Sequence, residues 1–348
     1  MTATWSVRQR ITALTVTLLV LLAVGVVVSA SLGQLAVDAR HVVGAALSGI
    51  GIDTAWRPGH ELTEQALQQI RFPRVVMAVA VGGALAVAGA SMQAIFANPL
   101  AEPGVVGVSA GGALGAAIAL AFGAASGWQV ATCAFLGGLA ATLLAYGTAR
   151  SAGRTEMVTL LLTGIAVNAV AGAGLAFVLF SASTAAREQI IFWQLGSLGG
   201  SRWIDVVLVL GVCLAGSALA WHFGRSYDVL TLGERTAAHL GVPVERLRMI
   251  SVTLVALLSG AAVAFAGIIA FVGLVVPHII RMAVGPAHRP LIALSLIGGA
   301  ALMTWADVAA RTLVHGADLP IGMLTALLGG PFFFWLVRRT RNSGGGWA

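Results

Sequence analysis

The sequence predicts an all-α, polytopic membrane protein with about ten transmembrane helices, organised as a single domain over residues 1–348. Composition is the first reason. Hydrophobic residues make up 58% of the chain and charged residues only 9%, against about 25% charged in a soluble domain, which leaves too few polar groups to clothe a surface in water. The second reason is ten mostly apolar runs, each near the ~20 residues that cross a bilayer as a helix. The third is the 44 glycines, since Gly is more frequent in membrane helices than in soluble ones.

Taken in order, the runs are 11–32, 74–96, 107–122, 128–149, 158–180, 203–223, 247–264, 268–284, 291–310 and 321–337. The first is too long for a signal-peptide core, and no small-residue cleavage site clearly follows it, so no cleavable signal is expected. In the second and third, Gly82, Gly83, Ala86 and Gly89, then Gly107, Gly111, Gly112 and Gly115, fall on small-residue spacings. Such spacings let helix backbones approach closely in lipid. The seventh and eighth runs are cut from a nearly continuous apolar stretch, 251–284. There Gly260, Gly267 and Gly273 could each bend the chain, and Pro277 could kink or break it. Cys133 and Cys213 lie inside apolar runs and read as small buried hydrophobes.

Orientation follows from arginine. All 20 basic residues are Arg. With the N-terminus inside, Arg8, Arg10, Arg150, Arg154, Arg225, Arg235, Arg246, Arg248, Arg281, Arg289, Arg338, Arg339 and Arg341 lie inside. Arg40, Arg57, Arg71, Arg74, Arg187, Arg202 and Arg311 lie outside. The excess of inner Arg places both termini in the cytoplasm and requires an even number of spans. The formal charge of +7 forms no dense patch, which argues against nucleic acid. Two connections are long. Residues 33–73 lie outside. Residues 224–246 lie inside and hold Asp228, Glu234, Arg235, His239, Glu245 and Arg246; they read as a docking element or as a solvated connector.

Much chemistry is absent from the sequence. A phosphate-binding loop needs a Lys, and this chain has none, so no ATP site of that kind is expected. His41, His60, His222, His239, His278, His288 and His315 are scattered, and no metal site is expected. Intramembrane carboxylates are nearly missing; Asp307 is the one candidate, near a helix end and four residues before Arg311. An i, i+4 ion pair is favoured there over a proton relay, because pairing removes the raised pKa a relay needs. A solute path here is therefore passive or driven by a partner.

Five ordered blocks then narrow the reading. They are Arg71-Phe72-Pro73-Arg74 with Gly82 to Gly89 and Met92-Gln93; Asn98-Pro99-Leu100-Ala101-Glu102-Pro103 with Gly107 to Gly111; Leu232-Gly233-Glu234 with Ala238 to Val242; Ala266 to His278 with Arg281; and Ala306-Asp307, Arg311, Leu319 to Gly322 and Gly329 to Phe333. Together they resemble the FecCD-type permeases, the membrane subunits of bacterial ABC importers for ferric siderophores, haem and cobalamin. The resemblance implies the type II ABC importer permease fold in the inner membrane. It also implies a homodimer, two cytoplasmic ATPase subunits that carry ATP and Mg, a periplasmic binding protein, and no cofactor on this chain.

It further implies roles by position. Gly233, Glu234, Arg235, Ala238, His239, Leu240 and Gly241 match the coupling segment (233–241) that docks on the ATPase. Arg71, Arg74 and Arg311 match the residues that meet acids on the binding protein, where snorkelling to lipid headgroups is the plainer alternative. Glu156, Met157 and Val158 match the cytoplasmic gate at the start of the fifth spanning helix. Relatives can carry small hydroxyl residues there, so apolar closure is the expectation here. Asn168 on that helix either faces the pathway or bonds a neighbouring helix. Residues 192–200, Phe192-Trp193-Gln194-Leu195-Gly196-Ser197-Leu198-Gly199-Gly200, look like the haem-permease branch. The expected cargo is haem or another iron chelate, with ferric siderophore or cobalamin as the alternative. An ion-coupled secondary transporter is disfavoured by the scarcity of membrane carboxylates.

Overall fold

A computed structural model describes residues 6–33, 36–123, 126–151, 154–314 and 316–342, without the side chains of 337 and 339–342. His315, and the side chains of Arg339 and Arg341 that entered the charge count, lie outside the described residues. In chain order the helices are α1 (Val7–Ser31), α2 (Ala39–Gly49), α3 (Glu61–Ala66), α4 (Phe72–Ile95), α5 (Val108–Ala121), α6 (Gly127–Thr148), α7 (Met157–Ser181), α8 (Thr184–Leu195), α9 (Trp203–Leu230), α10 (Glu234–His239), α11 (Val244–Ala266), α12 (Val272–Val284), α13 (His288–Thr312) and α14 (Ile321–Asn342). A two-stranded hairpin, β1 (Arg150–Ser151) and β2 (Arg154–Thr155), joins α6 to α7, with Arg150 paired to Thr155.

Each of the ten apolar runs coincides with a helix. Among the described residues seven helices are long and apolar enough to cross a membrane, while the apolar stretches Val108–Ala121, Val272–Val284 and Ile321–Leu336 are shorter. At 1.5 Å per residue the 13 residues of α12 reach only about 20 Å. The stretch 33–73, expected as a loop, contains α2 and α3 and runs into α4 through a π turn, Leu67–Arg71. Pro73 explains the turn. It has no N–H to offer a carbonyl one turn back, and the chain shifts to wider winding, with Phe72 N–H donating to the Leu67 carbonyl.

α4 is the hub. Every residue from Ala80 to Ile95 is buried, the mark of a helix apolar all round, and it packs on α9, α11, α12 and α13. The small-residue spacings allow this. A Cβ on Gly89 would penetrate the Gly273 carbonyl of α12, and one on Gly82 would penetrate the Gly299 carbonyl of α13. By contrast, α7 buries only Leu160, Gly164, Val167 and Ala171, a single stripe. It exposes Val158, Leu162, Ile165, Val170, Phe177 and Phe180.

The continuous apolar stretch 251–284 is interrupted once, between α11 and α12. Gly267 and Phe271 both take left-handed backbone there, at φ 74° and 67°. Pro277 sits inside α12 without ending it. The carbonyl that its missing N–H would have engaged belongs to Gly273. The Gln93 amide of α4 lies 3.5 Å from that oxygen and 3.4 Å from the Leu274 carbonyl, so a neighbouring helix covers what the proline leaves open.

Candidate functional site

The residues singled out in the sequence gather at two ends of the bundle. α9 starts where the Trp203 indole N–H donates to the Gln68 carbonyl (2.7 Å), close in sequence to Arg71. Its 28 residues cover about 42 Å before reaching α10. The arginine cluster and the 233–241 segment are therefore on opposite faces.

At the first end Arg71, Arg74 and Arg311 line one cavity of about 490 Å3 together with Gly33, Ile70 and Asp318. Two of these arginines bond Asp307, whose side chain is 1% exposed. One carboxylate oxygen accepts from Arg74 Nε at 2.9 Å and the other from Arg311 Nε at 3.0 Å. Arg74 also donates to Asp318 (2.7 Å). The expected i, i+4 pair is present, and Arg74 extends it into a triad. The remaining donors serve α1. Arg311 donates to the Leu32 and Ser29 carbonyls (2.8 and 2.9 Å) and to Ser29 Oγ. Arg71 donates to the Ala30 and Ser31 carbonyls (2.6 and 3.1 Å). These are the carbonyls a helix C-terminus leaves without partners. The three arginines thus lock the ends of α1, α4 and α13 together around one carboxylate while lining an open concavity.

At the other end α10 is a six-residue helix between Gly233 and Gly241, both with positive φ (101° and 85°) and with open space where a Cβ would stand. The left-handed backbone alone favours glycine there. Gly233, Glu234, Arg235, Ala238, His239, Leu240 and Gly241 are all exposed, and within α10 only Ala237 is buried. Leu232 and Leu240 add exposed apolar surface, so the segment presents both apolar and charged side chains on its exposed face.

Beneath α10 lies Arg248 of α11, whose side chain is 2% exposed. It bonds both carboxylate oxygens of Glu234, Glu245 at 3.2 Å and the Thr155 carbonyl at 3.1 Å. Glu245 in turn accepts from the Thr155 N–H (3.0 Å) and hydroxyl (2.9 Å). Sequence reading gave Arg248, Glu245 and Thr155 no role in this network. The available signal was an arginine one turn inside an apolar helix, three residues after a glutamate.

Glu156 precedes α7 in extended conformation, and its carboxylate accepts from the Thr159 hydroxyl (2.6 Å). Met157 packs on the core, whereas Val158 is exposed. Asn168 donates to the Gly104 carbonyl (3.2 Å), a bond to the turn that precedes α5. Among the described residues no group of His, Cys, Asp or Glu is arranged to hold a metal.

Comparison with known proteins adds a family. The chain is 39% identical to the hemin transport system permease protein HmuU of Yersinia pestis, over 94% of this chain and 95% of that one. It is 40% identical to the cobalamin import system permease protein BtuC of Halobacterium salinarum, over 80% and 74%. The solved inward-facing conformation of a metal-chelate type ABC transporter superposes with a TM-score of 0.81 at 30% identity, over 93% of this chain and 98% of that one. The profile of the FecCD transport family matches residues 20–339, and the chain belongs to that family.

Proposed function

We propose that this chain is the membrane-spanning permease subunit of an ATP-driven importer that carries haem or another iron chelate into the cytoplasm. The single observation behind the cargo is the near full-length identity to a hemin permease. A cobalamin cargo is the second reading, favoured by the identity to cobalamin permeases over about four-fifths of the chain. ATP and Mg belong to two separate cytoplasmic ATPase subunits, seated on 233–241. A short helix with apolar and charged side chains fits a groove on a partner and can pass on its rigid-body movement. A periplasmic binding protein approaches the opposite face, at Arg71, Arg74 and Arg311, whose guanidinium groups suit carboxylates. The exposed apolar face of α7 is where a second copy closes the pathway, with Glu156, Met157 and Val158 at its cytoplasmic mouth. Both termini are cytoplasmic.

Reconstitution with the ATPase and binding proteins loaded with hemin, a ferric siderophore or cobalamin tests this. Hemin-loaded protein should stimulate ATP hydrolysis and hemin uptake most. Stimulation by the cobalamin-loaded protein alone selects the second reading. Uptake by the purified chain down an ion gradient, without ATPase, refutes both.

A charge reversal tests the docking face. Arg71→Glu should reduce the stimulation of ATPase by binding protein about tenfold, equivalent to about 1.4 kcal/mol of binding. Reversing an acid on the binding protein should restore it. Unchanged stimulation would remove Arg71 from the interface.

A further inference from the structure

We infer that Arg248 is a positioning residue that ties the exposed α10 segment to the root of α7, so that a displacement of α10 is delivered to residues 155–157. This rests on the proposed docking of 233–241 on an ATPase. It adds the route by which such docking reaches the pathway.

The geometry is specific. Thr155, Arg248 and Glu234 come from three separate elements, β2, α11 and α10. Thr155 is held at both backbone groups, its carbonyl by Arg248 (3.1 Å) and its N–H by Glu245 (3.0 Å). The residue is 3% exposed, and two residues later α7 begins. A guanidinium is a planar fork with five donors, and here it reaches Glu234, Glu245 and the Thr155 carbonyl together. Lysine, a single point charge on a flexible stem, has no such fixed geometry. Charge reinforces the link: one buried cation stands against two partly exposed carboxylates. The contact is also selective. Ala237 is the buried anchor of α10, while Glu234 is its polar tie to the rest of the chain. The remaining exposed side chains of the segment stay available to a partner.

The experiment uses the assembled importer in proteoliposomes and reads transport per ATP hydrolysed, together with co-purification of the ATPase. Arg248→Met keeps the volume and removes the fork. Glu234→Gln changes a side chain 60% exposed. The proposal expects both variants to retain the ATPase subunit, and transport per ATP to fall about tenfold in the first and about threefold in the second. The double variant should be no worse than Arg248→Met, because residues acting through one link are non-additive. A Glu234 that merely touched the ATPase would add its loss to that of Arg248→Met, and that outcome overturns the link, as does unchanged transport per ATP in Arg248→Met. If Arg248→Met does not fold, the same cycle is run with Glu234→Gln and Glu245→Gln, both carboxylates being partly exposed, and additivity again overturns it. A wild-type chain that never co-purifies with an ATPase refutes the docking reading itself.

Discussion

Gly89→Ala is expected to cost about 3 kcal/mol, the upper end for forcing an extra methyl into a packed contact. Much less folded protein should survive detergent extraction. The reason is local. Gly89 lies 17 residues into α4, at the hub of the bundle, and the added methyl would occupy the space of the Gly273 carbonyl. That oxygen belongs to backbone and cannot swing aside as a side-chain tip would. It is also the carbonyl left without a helical donor by Pro277 and faced by Gln93. Pushing α12 away would open that arrangement as well, in a medium that offers no replacement hydrogen bond. Thermal unfolding followed by size-exclusion chromatography measures the effect. Gly330→Ala, where a Cβ meets nothing within 4 Å, serves as the control and should behave as wild type. Equal stability of the two variants would show that the α4–α12 contact relaxes freely.

Asp307→Asn is expected to destabilise the chain by about 3–5 kcal/mol, the cost of breaking a buried ion pair and stranding its partner. Here two partners are stranded, because Arg74 and Arg311 are 15% and 9% exposed and both bond the one carboxylate. The amide retains the shape but accepts at only one of its two terminal atoms, so one arginine meets an N–H donor instead of an oxygen. The ends of α1, α4 and α13 that meet at Asp307 should loosen together, read as earlier proteolysis near residue 33 and a lowered melting temperature. A proton relay at Asp307 makes the opposite forecast, with stability kept and transport lost. The two measurements on one variant separate these cases.

The architecture was largely legible because lipid imposes a single rule, and each of the ten apolar runs became a helix. What stayed hidden follows from the same rule. α3 carries Glu61 and Glu64 in its first turn, and α8 contains Arg187 and Glu188, so hydropathy passes over both although they are helical. The interruption after α11 was visible as a choice among three glycines and a proline, but only packing selects Gly267, whose positive φ no other position in that set adopts. The candidate sites divide in the same way. The Asp307–Arg311 pair is local, four residues apart, and was readable. Arg74 joins it from 233 residues away, Arg248 meets Thr155 across 93, and Asn168 finds Gly104 across 64. Contacts of that separation are set by the crossing of helices, which no local spacing records.

The unwound stretch between α11 and α12 bears on how the protein is made. None of residues 267–271 is exposed, and polar groups around them are closed by segments far apart in synthesis. Glu102 accepts from the Phe271 N–H (3.0 Å), the Ser197 N–H donates to the Ala266 carbonyl (2.9 Å), and the Ile321 N–H donates to the Gly196 carbonyl (3.1 Å). A chain lacking residue 321 would leave the Gly196 carbonyl without that donor. The joint is therefore complete only once α14 is in place, because the first residue of that helix supplies the donor for Gly196.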